Sequence, residues 1–137
     1  MSSLRKDLLM RVTMAGIAVI AWFALGIQLY LMIAQSLTHA GPIAVILVRY
    51  FSFFTILTNL LVALALTLSL GLPKSSWGQF FSRAAFKTGI AVYIAVVGVT
   101  YSLLLRHLWS PVGSQKLADV LLHDVVPVTY VIFWFVF

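Results

Sequence analysis

The 137-residue chain has no cysteine. Disulfides, thiolate metal sites and a cysteine nucleophile are therefore excluded, and cysteine usage carries no information about the redox compartment. Charge is scarce too. Charged residues make up 9% of the sequence and hydrophobic ones 63%, too little charge to coat a small soluble globule. The scarcity is uneven: three acidic residues stand against nine basic ones, for a net charge of +6. A basic excess can mark a nucleic-acid binder, but here the basic residues sit at the ends of apolar runs and make no continuous face. No nucleic-acid partner is expected, and membrane lipids are.

What the chain does have is long apolar runs. It reads as all-α, a single polytopic membrane domain over residues 1–137 with four transmembrane helices at about 12–34, 50–70, 88–106 and 119–137. The first run follows a short polar leader, Met1 to Arg11, and is too long for the core of a cleavable signal peptide. Arg5, Lys6, Arg11, Lys74, Arg83 and Lys87 lie at one end of these spans, and Arg49, Arg106 and Lys116 at the other. The positive-inside rule puts the N-terminus and the middle loop in the cytoplasm. In that loop Trp77, Phe80, Phe81 and Arg83 suggest an interfacial amphipathic turn. The last run stops at Phe137 without a basic flank, so the natural chain is expected to continue.

The most informative stretch is Arg49 to Leu60, RYFSFFTILTNL. On one helix Ser52, Thr55 and Asn59 share a sector flanked by Arg49 and Thr58. Such a stripe must face other helices or a wet cavity, because lipid cannot satisfy it. Its partner is Asp119 to Pro127, DVLLHDVVP, where Asp119, His123, Pro127 and Tyr130 share a face. Asp119 and His123 are four apart, so the carboxylate can orient the imidazole, and Asp124 is the poorer orienter. Pro127 removes the hydrogen bond to the carbonyl of His123, which leaves a free acceptor there. Thr55 and His123 fall at similar depths below the outer boundary. Hydroxyl, imidazole and carboxylate are the groups of nucleophilic acyl transfer, with Thr55 as nucleophile, His123 as base and Asn59 as oxyanion donor. Arg49, Ser52, Thr58, Asn59, Asp124 and Tyr130 are the expected substrate-binding groups.

The two stretches, RYFSFFTILTNLL and LLHDVVP, resemble the androgen-induced gene 1 family (with the androgen-dependent TFPI-regulating proteins) and its bacterial relatives. The resemblance implies a six-helix membrane protein, of which this chain holds four spans, in a bacterial inner (plasma) membrane. It implies hydrolysis of fatty acid esters of hydroxy fatty acids, with the family threonine on Thr55, or on Thr58 one turn away, and the family histidine on His123. No cofactor or metal is implied.

Three other readings stay open on the residues alone. One is a non-catalytic lipid or small-ligand binding or transport protein, with Arg49 and Arg106 receiving an anion. Another is a haem or metal protein, suggested by His39, His107 and His123. The last is a structural subunit, in which the hydroxyls and Gln28 bond only to neighbouring helices.

Overall fold

The computed structural model describes residues 3–39 and 41–137. In chain order the helices are α1 (Ser3–Thr38), α2 (Ile43–Ser52), α3 (Phe54–Gly71), α4 (Ser76–Ser82), α5 (Ala84–Leu105) and α6 (Gly113–Val136). No strand is present among the described residues. α1, α3, α5 and α6 are long and apolar enough to cross a membrane. The core lies where α1 packs along α3 and α5 along α6. Ala18, Ala21 and Ala24 of α1 and Ala63 and Ala65 of α3 are all buried. Small side chains at these positions let helix backbones approach closely.

Several boundaries differ from the sequence expectation. The leader is helical from Ser3 onward, and α1 runs 36 residues, or ~54 Å against a hydrocarbon core of ~30 Å. α1 ends at Thr38 and α2 begins at Ile43, inside the stretch expected between the first two spans. The fourth long helix starts at Gly113, six residues before the expected Asp119.

The largest difference falls in Arg49 to Leu60, which is not one helix. Phe53 is extended, with φ −78° and ψ 123°, and separates α2 from α3. No glycine or proline marks the break. Its cause is tertiary: Ile46 and Tyr50, one turn apart, are the buried positions of α2, and the Tyr50 hydroxyl donates to the Leu25 carbonyl of α1 at 2.8 Å. Ser52 therefore leaves the sector shared by Thr55 and Asn59.

Two turns inside long helices are π-helical, Tyr101–Leu105 in α5 and Leu121–Val125 in α6. Single π turns inside α-helices recur at functional sites. In α6 the wide turn works together with Pro127. The Val126 N–H donates to Leu121, five residues back, and Pro127 has no N–H to give. Leu122 thereby loses both of its candidate donors within the helix. The orphaned carbonyl that finds a side-chain partner is thus that of Leu122, one residue from the His123 carbonyl that a regular helix predicts. α5 comes close at this point because Gly98 has no side chain. A Cβ there would lie 3.2 Å from the Pro127 Cβ and 3.3 Å from the His123 carbonyl oxygen.

Candidate functional site

Thr55, Asp119 and His123 line one cavity of about 390 Å³, together with Gln28, Trp109 and Gln115. Thr55 reaches it from the second residue of α3, and the break at Phe53 decides the state of its hydroxyl. Thr58 donates back to Phe54 at 2.8 Å and Thr67 to Ala63 at 2.7 Å, the usual sink for a helical threonine. For Thr55 the residue four back is Phe51, on the far side of the break. Among the described residues no hydrogen bond engages the Thr55 hydroxyl. The same break exposes the start of α3. The first N–H of α3 to close back on the chain is that of Leu57, on Phe53. No side chain caps the helix, so the N–H groups of Phe54, Thr55 and Ile56 lack intrahelical acceptors.

His123 is held at its Nδ1 edge and on one ring face. Its Nδ1 lies 2.9 Å from the Asp119 carbonyl oxygen and 3.3 Å from Asp119 Oδ1. The Tyr101 ring stacks on the imidazole with centroids 3.8 Å apart and planes at 15°. The Tyr101 hydroxyl donates to Asp119 Oδ2 and accepts from Trp109 Nε1 at 3.1 Å. Asp119 is buried, and among the described residues no hydrogen bond reaches its Oδ1. With the Nδ1 proton on the Asp119 carbonyl, Nε2 carries the lone pair.

Asn59 ties the two halves together. Fully buried, it donates to Thr55 O at 2.9 Å and to Leu122 O at 3.1 Å. The second bond fills the vacancy left by the π turn and Pro127. With both amide hydrogens committed, Asn59 cannot be the oxyanion donor expected from sequence. It is the strut that sets Thr55 against the His123 turn.

The other expected binding residues scatter. Thr58 is buried, back-bonded and outside the cavity lining, so it is no substitute for Thr55. Ser52 is exposed on α2 and donates to Val48. Asp124 pairs with Arg106 and makes no hydrogen bond to the His123 ring. Tyr130 is buried seven residues further along α6, its hydroxyl directed at the Lys87 carbonyl. Arg49 lines a second, more polar cavity of about 510 Å³ with Gln35, Ser36 and His39. Gln28, Phe53, Trp109 and Gln115 border both cavities, and Gln115 donates to Gln28 at 2.9 Å between them. Gln28 is thus both a helix-to-helix bond and a cavity wall. Among the described residues no three histidine or acidic side chains come together to hold a metal ion.

Sequence reading missed Tyr101, Trp109 and Gln115. The only signal for Tyr101 was its place near the end of an apolar run, where tyrosines commonly serve as interface anchors. No family model matches this chain, and no curated protein or solved structure shows significant similarity to it.

Proposed function

We propose that the chain is a membrane-embedded hydrolase of lipid esters, with Thr55 as nucleophile and His123 as base. The observation that carries the reading is the convergence of an unbonded threonine hydroxyl, an oriented imidazole and a buried carboxyl on one cavity. Four apolar helices and the basic flanks support insertion in a plasma membrane, with the Lys74 and Lys87 end in the cytoplasm. The site then lies toward the outer leaflet. Fatty acid esters of hydroxy fatty acids are the substrate class suggested by the resemblance.

In the first step the Thr55 oxygen attacks the ester carbonyl carbon and His123 Nε2 takes the hydroxyl proton. Asp119 and its own carbonyl face Nδ1 and stabilise the imidazolium so formed. The first-turn N–H groups of α3 are the donors available to the developing oxyanion. Collapse expels the alcohol half as an alkoxide, which leaves with the proton from His123. Water then attacks the acyl-threonine carbonyl, His123 takes the water's proton and returns it to the Thr55 oxygen, and the fatty acid departs.

The test is turnover of a long-chain hydroxy-fatty-acid ester by the full-length protein. Thr55→Ala and His123→Ala should each lower kcat by about 10³-fold or more. Unchanged turnover in either variant would contradict the assignment. A wild type without turnover would favour binding or transport, the reading supported by the second cavity, where Arg49 has no acidic partner among the described residues.

A further inference from the structure

The π turn in α5, Tyr101–Leu105, holds no proline or glycine. The Arg106 N–H nevertheless closes on the Tyr101 carbonyl, five residues back, at 2.8 Å. Three contacts join this turn to the His123 region of α6. The Tyr101 ring stacks on the imidazole, the Tyr101 hydroxyl donates to Asp119 Oδ2, and Arg106 pairs with Asp124. Tyr101 is 4% exposed, so it is not the interface anchor that its place in the chain suggests. Its single hydroxyl proton is committed to Asp119, which leaves none for a substrate oxygen. Asp119 keeps one free oxygen. Among the described residues no hydrogen bond reaches Oδ1, which lies 3.3 Å from His123 Nδ1. Nearby polar groups do not compete for that place. Beyond the imidazole a third, apolar cavity of about 560 Å³ opens sideways between α5 and α6, past exposed Val99, Leu103 and Val128. Besides His123 its polar groups are Ser102 and Asp124, and both are bonded to Arg106.

We infer that Tyr101 is a positioning residue for the base: by holding Asp119 Oδ2 it keeps Oδ1 turned toward Nδ1 and free for the imidazolium. The inference rests on the hydrolase reading and adds a residue to the Asp119–His123 pair. While His123 is neutral, its Nδ1 proton sits on the nearer Asp119 carbonyl oxygen, 2.9 Å away. When Nε2 takes the Thr55 proton, the ring gains a full positive charge. A carboxylate oxygen is then the stronger acceptor for the Nδ1 proton, because a hydrogen bond between charged partners is about twice as strong as a neutral one. A carboxylate free to rotate would lose that alignment, and the phenol prevents the rotation. The stacked ring does the same for the plane of the imidazole. Trp109 Nε1 anchors the phenol oxygen in turn, so the hold runs from the segment after α5, through α5, to α6.

The experiment compares Tyr101→Phe, Asp119→Ala and the double variant with the wild type, all as full-length protein. Tyr101→Phe keeps the stacked ring and removes the hydroxyl. One readout is hydrolysis of a long-chain hydroxy-fatty-acid ester. The other needs no turnover: the rate at which diethyl pyrocarbonate modifies His123, followed by mass spectrometry at about pH 8, where an ordinary histidine is neutral. Tyr101→Phe should lower kcat by about 10-fold or more, a share of the ~10²–10⁴-fold that a positioned base supplies, with KM moved less than about twofold. It should also slow modification of His123 severalfold. In the Asp119→Ala background the same change should alter neither readout, because the hydroxyl acts through the carboxylate. Trp109→Phe loosens the phenol from further out and should repeat the pattern at smaller amplitude, whether or not Tyr101→Phe folds. Wild-type kcat and modification rate in Tyr101→Phe would overturn the inference. So would equal losses with Asp119 present and absent, the mark of a purely structural tyrosine. Coupled effects on His123 modification in a protein without hydrolysis would sustain the hold of Tyr101 on His123 and count against the hydrolase reading alone.

Discussion

Asn59 is the residue on which both halves of the site depend. Its two donors meet two carbonyls, one on Thr55 itself and one next to His123. The Leu122 carbonyl has no donor left in its own helix, and in an apolar interior an unmet acceptor is costly. Asn59→Leu keeps the volume and removes both bonds. It should destabilise the protein by about 1–3 kcal/mol, read as a lowered Tm in detergent, and should impair hydrolysis with Thr55 and His123 still present. Thr58→Val, one position away, should change stability by less than about 1 kcal/mol and leave hydrolysis intact, because the Thr58 hydroxyl bonds only to its own helix. Equal losses from both variants would show that Asn59 has no special positioning role.

At the scale of the element, two departures from regular helix make the site. The break at Phe53 frees the Thr55 hydroxyl from a backbone acceptor. The π turn at Leu121–Val125 widens α6 so that His123 reaches back to the Asp119 carbonyl. Pro127 stabilises the second departure by making the regular bond from position 127 impossible. Pro127→Ala restores that N–H and lets the turn return to α-helical register. Hydrolysis should then fall while the Tm holds or rises, since proline in a helix interior costs ~3 kcal/mol. A variant with full activity and a lowered Tm would refute this role for the turn. Only one of the two departures was legible in the sequence. Pro127 announces a disturbance in α6, and a hydrogen-bond count places the vacancy one residue from where it lies because the π turn shifts the register. Phe53 announces nothing. The break there comes from Tyr50 reaching Leu25 across to α1, a tertiary bond that no local pattern records.

At the scale of the molecule, the helical class and the four long apolar runs follow directly from composition and run length. Which faces meet does not. Helices that are apolar nearly all round carry no periodic signal for the side that is buried, so the stacking of Tyr101 on His123 and the Gln28–Gln115 bridge had no sequence signature. That Thr55 and His123 line one cavity was accessible because polar side chains are few in these runs and each must find a wet or bonded place. The same economy organises the three cavities. The most polar of them carries Arg49, a second carries Thr55, and the most apolar opens sideways, with His123 lining the last two. This layout makes an activated threonine the central claim. Its most direct test is to treat the full-length protein in bilayers with a fluorophosphonate probe and map the adduct by mass spectrometry. The account predicts a single adduct on Thr55, retained in Thr58→Ala and lost in Thr55→Ala and His123→Ala. An adduct on another residue, or labelling that persists in Thr55→Ala, would contradict it.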